Sequence, residues 1–334
     1  MTTPAEPQVA VVTPTRNRAA WLAETLDSVA AQTFQNWEHL VVDDGSDDGT
    51  ADLMAARTAV DLRVRYIVRA DAPGGANRCR NIGIRAARAP FVVMLDSDDL
   101  LAPGCLARRV EVISRNLDMD FVTFQAALFE RTPGDLTRRA APELIGDDLA
   151  RFLYFETPWQ TTAPIWRRDS LIRLGLFDEA LLSWQDVELH VRAIAAGCRY
   201  IRFEEIDYHF RYVVDPAKIS FAQRYSPEHL AGAIDVIERL EAHVREGPGV
   251  DAERARALCS LYFFVAERWL EQGDLGAALA TWGRIRTREL APPGLHLEGA
   301  MLLALARAGI PTETLIRKWK GWARLRSEPE LVAT

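Results

Sequence analysis

Four short strand-like runs, the first three each followed by a stretch of helical periodicity and the last by an acidic cluster, constrain the first third of this chain more than any other feature. They are Val9–Val12, His39–Val42, Val64–Val68 and Phe91–Leu95. Between them, Ala19–Gln32 carries Trp21, Leu22, Leu26 and Val29 at helical spacing. Asp48-Gly49-Thr50 opens a second helical stretch, and Asn81–Arg88 reads as the end of a third. Apolar strands joined through helices predict a parallel sheet covered on both faces. Ligands of such sheets sit beyond the carboxyl ends of the strands. Two acidic clusters fall at those ends, Asp43-Asp44-Gly45-Ser46 and Asp96-Ser97-Asp98-Asp99.

From about Asp120 the pattern changes to mixed strands and loops, including Phe121–Leu128, the Pro158–Trp166 stretch and the aromatic Tyr200–Tyr212. Helical periodicity returns at Val187–Ala196 and dominates beyond Pro227, with breaks at Gly247-Pro248-Gly249, Gly273-Asp274, Pro292-Pro293 and Gly309-Ile310-Pro311. A chain of 334 residues, 49% hydrophobic, can bury a sizeable core and suggests two units. Its net charge of −7 argues against a nucleic-acid binder, which needs a basic surface. Cys79, Cys105, Cys198 and Cys259 lie far apart without metal-binding spacing, as expected of free thiols in a reducing compartment. The N-terminus lacks the basic and apolar segments of a signal peptide, and no apolar run is long enough to span a membrane. The expectation is a cytoplasmic protein.

Chemistry concentrates in three segments. Asp96, Asp98 and Asp99 place three carboxylates within four positions after a buried strand. Their mutual repulsion calls for a cation, and hard oxygen ligands suit Mg²⁺ or Mn²⁺, which bind through one or two carboxylates plus substrate phosphates. A solvated acidic loop is the alternative. The dense turn Asp43–Thr50 can present a carboxylate to the imide edge of a base, or be a turn with a helix cap. In Ser183-Trp184-Gln185-Asp186-Val187-Glu188, Asp186 opens a helix, as a working carboxylate or as an N-cap. Glu188 and Arg192 form an i,i+4 pair, a surface or interlayer salt bridge.

The order of these segments carries more than any one of them. Val11-Val12-Thr13-Pro14-Thr15-Arg16-Asn17-Arg18, Asp44-Gly45-Ser46, Arg80-Asn81-Ile82-Gly83, Asp96-Ser97-Asp98-Asp99 and Trp184-Gln185-Asp186 together resemble the signature of family 2 glycosyltransferases over residues 7–220. The resemblance implies an α/β fold of the GT-A type, a nucleotide-binding sheet flanked by helices, here with a C-terminal α-helical extension. It implies a catalytic domain at 1–222, split into a nucleotide-sugar half (7–119) and an acceptor half (120–222), followed by a helical domain at 223–334. It also implies roles. Pro14, Thr15 and Arg18 line the nucleotide site, Asp44 binds a uracil-type base, and Arg80 contacts base or diphosphate. Asp96 and Ser97 serve the donor, Asp98 or Asp99 holds the metal, and Asp186 is the catalytic base. The base motif usually reads Glu-Asp and begins here with Gln185; Arg16 stands where an aromatic residue is common.

These roles imply a metal-dependent transfer from a nucleoside-diphosphate sugar, UDP favoured, to a saccharide or lipid-linked saccharide in surface glycan synthesis. The metal stabilises the leaving diphosphate and one carboxylate deprotonates the acceptor. Retention would need a second close carboxylate as nucleophile, by analogy with glycosidases. Glu188 would point away from Asp186 on a helix, so inversion is expected. His209 is a candidate further metal contact or a structural histidine, and Arg211 with Lys218 could close over the diphosphate. Trp159 and Trp184 either stack on acceptor sugar or pack in the core. Thr314–Arg326, basic and tryptophan-containing, suits a peripheral contact at the inner membrane face, or packing on the helical bundle or in a homodimer. Two alternatives are a sugar-nucleotide pyrophosphorylase, whose glycine-rich loop is missing from Thr13–Arg18, and a non-catalytic binding module.

Overall fold

The computed structural model describes residues 6–69, 71, 74–140, 146–212, 226–310 and 312–323. The expected alternation is there: β1 (Val9–Thr15), α1 (Ala19–Ala30), β2 (Trp37–Asp43), α2 (Thr50–Val60), β3 (Val64–Val68), α3 (Ala76–Ala86) and β4 (Phe91–Met94). The chain continues with β5 (Leu100–Leu101), α4 (Cys105–Arg115), β6 (Phe121–Phe129), α5 (Asp148–Leu153), β7 (Pro164–Arg167), α6 (Arg168–Arg173), α7 (Gln185–Ala195) and β8 (Tyr200–Arg211). Among the described residues, five helices follow: α8 (Pro227–Glu246), α9 (Ala252–Glu271), α10 (Leu275–Thr287), α11 (Pro293–Arg307) and α12 (Glu313–Ala323).

The eight strands form one sheet in the order β3-β2-β1-β4-β7-β6-β8-β5. The first four pair in parallel, whereas β7 runs antiparallel to both β4 and β6. β1 and β2 are buried along their whole length, which is why their centres, Val9–Val12 and Leu40–Val42, are apolar. Leu22 and Leu26 of α1 pack with Val41 and Met54 on one face, each such side chain contributing about 1.5–3 kcal/mol. On α3, a β-carbon at Gly83 would collide with Val12 Cγ1, so the glycine of Arg80-Asn81-Ile82-Gly83 lets the helix lie directly on β1. Arg109 of α4 and Asp207 of β8 form a fully buried bidentate pair at 2.8 and 2.7 Å. Its third nitrogen donates to the Thr162 carbonyl at 2.7 Å. Burying two charges is tolerable only with this degree of pairing.

Compact units divide the chain elsewhere than at 222/223. One comprises 1–144, 159–180 and 198–213, and contains the whole sheet; the other comprises 145–158, 181–197 and 214–334. Within the helical unit, the Glu188–Arg192 pair is interlayer: Glu188 is buried and also meets His243 of α8 at 2.9 Å. α12 packs on the bundle through Trp319, whose indole donates to Glu298 at 2.9 Å and lies 4.9 Å from the Phe263 ring, and through Lys320 with Glu267. Residues 324–326 of the basic stretch, like Lys218, lie outside the described residues. No helix among the described residues is long and apolar enough to cross a membrane. All four cysteines are free.

Two buried histidines make the fold acid-sensitive. Burial drives both His39, whose Nε2 meets Thr13 Oγ1 at 2.9 Å, and His190, against the Phe152 ring, down to about 3. Each stays neutral when folded, while the unfolded chain protonates below about pH 6.5. The unfolded state therefore binds more protons, and stability falls as pH drops from about 6.5 towards 3. Denaturant titration at pH 7 and pH 5 should show a loss on the order of 2 kcal/mol per histidine, and His39→Gln should remove its share.

Candidate functional site

The carboxyl ends of β1, β2 and β4 gather most of the expected donor residues. Parallel register pairs Thr15 with Asp43, and the Asp44 N–H donates to the Thr15 carbonyl at 2.9 Å. The loops after the two strands are tied together: Asn17 N–H donates to Ser46 Oγ, and Asp47 N–H to Asn17 Oδ1. Asn17 adopts φ 53°, a left-handed conformation that asparagine tolerates better than most residues. Pro14 and Thr15 are buried, and Thr15 Oγ1 has no hydrogen-bond partner among the described residues. Arg18, half-buried, stacks its guanidinium over Trp21 at 4.5 Å.

Asp44 is more heavily engaged than its sequence context indicates. Oδ1 accepts from the Gly74 N–H at 2.9 Å and from Arg69, and Oδ2 from the Gly75 N–H at 2.9 Å. Gly75 sits at φ 86° as the N-cap of α3, a conformation glycine adopts without strain. Neighbouring Asp43 is held by Ser46 and by the Tyr66 hydroxyl. Neither Arg69 nor Tyr66 was expected at the site. The parallel register, which aligns Asp43 with Val68, puts Asp44 and Arg69 next to each other one residue later.

Arg80 points at the second acidic cluster. Its Nη2 donates to Asp96 Oδ1 at 2.6 Å, and the guanidinium lies 5.3 Å from the Phe177 ring centroid. Asp96, Ser97 and Asp98 are half-buried. Asp99 departs from expectation. It is 1% exposed, its Oδ2 accepts from Thr162 Oγ1 at 3.0 Å, and its Oδ1 accepts from the Arg211 N–H at 3.1 Å. Burial, then the nearby Asp98 and Asp96, push its carboxyl well above the usual range. Both carboxylate oxygens of Asp99 thus have protein donors.

His209 lies on β8, opposite Leu100 of β5 and edge-on to Phe129 at 6.2 Å. It is half-buried and lowered by that burial. No three His, Cys, Asp or Glu side chains among the described residues are gathered where they could hold an ion, so Asp98, Asp99 and His209 form no preassembled cage. A donor set of one protein carboxylate fits a divalent ion that completes its shell with diphosphate oxygens and water. Arg211, expected to close over a ligand, is instead buried: its guanidinium donates to the Asp98 carbonyl at 2.9 Å and to Glu24 of α1 at 2.6 Å.

Asp186 belongs to the helical unit. It is not the N-cap of α7; that position is Trp184, in a left-handed conformation at φ 56°. Asp186 occupies the first turn, half-buried, with Oδ1 accepting from the Val187 N–H at 2.9 Å. Negative charge is favoured at a helix N-terminus. Trp184 is half-buried, with Phe155 4.3 Å away. Trp159 is core: it is 2% exposed and packs on Phe121 and Tyr200.

Comparison with known proteins places these features in a group. The family described as glycosyl transferase family 2 matches residues 10–175. TuaG of Bacillus subtilis strain 168, named for a glycosyltransferase role in teichuronic acid biosynthesis, is 31% identical over 144 residues, 43% of this chain and 57% of TuaG. The chain thus spans about half the length of such curated relatives, 57% of TuaG and 42% of GlyG from Streptococcus pneumoniae. Among solved structures, residues 1–349 of S. aureus TarS in complex with UDP-GlcNAc superpose with a TM-score of 0.64 at 20% identity, over 90% of this chain and 87% of that one. The mannosyltransferase PcManGT of Pyrobaculum calidifontis, in complex with GDP-Man and Mn²⁺, gives 0.55 at 20% identity, over 96% and 85%. The fold is that of GT-A-like glycosyltransferases.

Proposed function

We propose, from the match of glycosyl transferase family 2 to residues 10–175, that this chain transfers a sugar from a nucleoside diphosphate, UDP favoured, to a hydroxyl of a saccharide or lipid-linked saccharide. The observation that carries this reading is the half-buried Asp98 at the end of β4, on a loop pinned by Arg211 and flanked by the Arg80–Asp96 pair. Asp98 would hold Mn²⁺ or Mg²⁺, and the ion supplies positive charge to the departing diphosphate.

The remaining work falls to this chain's own groups. Asp44 has two anchored oxygens; a carboxylate offers about four lone-pair sites, enough to accept a base imide N–H as well. Thr15 Oγ1, buried without a protein partner, adds a hydroxyl beside it. Arg80 orients Asp96 for the donor. Asp186 accepts the acceptor's proton as the hydroxyl attacks the anomeric carbon opposite the leaving group, a single displacement that inverts configuration. TuaG's name, with its tie to teichuronic acid, supports a role in surface polysaccharide synthesis.

Incubation with a panel of UDP-, GDP- and TDP-sugars, with Mn²⁺ and with chelator, tests this. Release of UDP that requires metal and acceptor, with a product of inverted anomeric configuration by NMR, is the expected result. Retained configuration, or turnover indifferent to chelator, would refute the mechanism.

A further inference from the structure

Arg211 makes an unusual set of bonds for the last residue of an edge-proximal strand. Its Nε donates to the carbonyl of Asp98 at 2.9 Å, and its own backbone N–H donates to Asp99 Oδ1 at 3.1 Å. Nη2 meets Glu24 Oε2 of α1 at 2.6 Å, and Nη1 reaches the Glu130 carbonyl after β6 at 3.4 Å. The guanidinium lies 4.4 Å from the Phe129 ring centroid, and the side chain is 4% exposed. On the other side of the same loop, Thr25 Oγ1 donates to the Asp99 carbonyl at 2.9 Å and Thr162 Oγ1 to the Asp99 carboxylate. Every one of these groups belongs to the sheet-containing unit.

A planar guanidinium with five fixed donors can hold several acceptors in one geometry, which an ammonium cannot. Here it grips the backbone carbonyl of Asp98 and so fixes the backbone from which that side chain projects. The contact to Glu24 makes the grip a salt bridge with α1, whose next residue, Thr25, holds Asp99. We propose that Arg211 is a positioning residue: it fixes the Asp98–Asp99 loop so that the Asp98 carboxylate is preset for the divalent ion of the donor complex. This inference rests on the donor-site reading above, and it assigns Arg211 a buttressing duty in place of direct contact with the diphosphate.

The test compares wild type, Arg211→Lys, Arg211→Ala and Glu24→Gln in the full chain. Hydrogen exchange of the backbone amides at 98–101 is followed without nucleotide, and UDP is titrated calorimetrically across a series of Mn²⁺ concentrations. Arg211→Ala should speed exchange in that loop and raise the Mn²⁺ concentration needed for UDP binding about tenfold, roughly 1.4 kcal/mol. Metal-free UDP binding should stay the same. Arg211→Lys, which keeps the charge but not the fork, should recover part of the loss, and Glu24→Gln should show a few-fold shift should Arg211→Ala fail to fold. A structural role alone would lower the melting temperature and leave metal dependence untouched. Unchanged exchange at 98–101 in a folded variant overturns the proposal whether or not UDP binds. Failure of wild type to bind UDP with Mn²⁺, alongside faster loop exchange in Arg211→Ala, removes the donor-site reading and with it the metal-presetting role.

Discussion

Asp98→Ala is expected to abolish the metal-dependent part of UDP binding while the protein stays folded. The reasoning turns on which atoms of this residue the fold uses. Arg211 holds the Asp98 carbonyl, an atom alanine retains, and the side chain is half-buried rather than sealed in the core. Asp99 stands in contrast, its two carboxylate oxygens held by Thr162 and by the Arg211 backbone N–H. On the proposed reading, losing the Asp98 carboxylate should cost on the order of 100-fold in metal-dependent affinity, about 2.7 kcal/mol. Asp99→Ala makes the contrast. It should lower the melting temperature by deleting an anchored buried group, so its effect on binding would not separate ligand from scaffold. Calorimetry of UDP with and without Mn²⁺, beside thermal melts, reads both. Wild-type metal dependence in folded Asp98→Ala would move the ion elsewhere and undo the assignment.

The difference between Asp98 and Asp99 also marks how far the sequence carries. Three adjacent acids after an apolar strand announce a charged site, because such a cluster is costly without a cation. Nothing in their spacing says which of them faces solvent. That is decided by β8 and by Thr162 in the loop before β7, strands that arrive in the sheet from 60 to 110 positions downstream. The parallel half of the sheet was legible for the opposite reason: β1, β2 and β4 are buried along their length, and their apolar stretches Val9–Val12, Leu40–Val42 and Phe91–Met94 show in the sequence. Asp44 illustrates an intermediate case. The turn chemistry at Asp43–Ser46 is local and visible, whereas Arg69 just after the neighbouring strand and the Gly74–Gly75 amides before α3 needed the fold to be found. Trp159 and Trp184 looked alike as aromatic residues in irregular segments. Packing on Phe121 and Tyr200 consigns Trp159 to the core, and only Trp184 stays near the surface.

Asp186→Asn should lower turnover about 10³-fold, within the 10²–10⁴ range of a single general base, with UDP affinity in Mn²⁺ unchanged. Asparagine keeps the shape and an oxygen able to accept the Val187 N–H, so the first turn of α7 retains that bond. What it loses is a carboxylate able to take a proton from the acceptor hydroxyl. The neighbouring acid supplies the control. Glu188 is buried between Arg192 and His243, which hold its carboxyl below the usual range against the opposing pull of burial. A carboxyl so depressed lends stability that is present above its unfolded value and lost as pH falls through the folded one. Glu188→Gln should therefore reduce melting temperature at neutral pH and narrow the gap to wild type in acid, while the folded fraction keeps its turnover per molecule. The two variants separate chemistry from scaffold within the first turn of one helix. Should Asp186→Asn retain more than about a tenth of wild-type turnover, against the expected 10³-fold loss, the proton acceptor must lie on another residue, and the single-displacement assignment would lose the group that drives it.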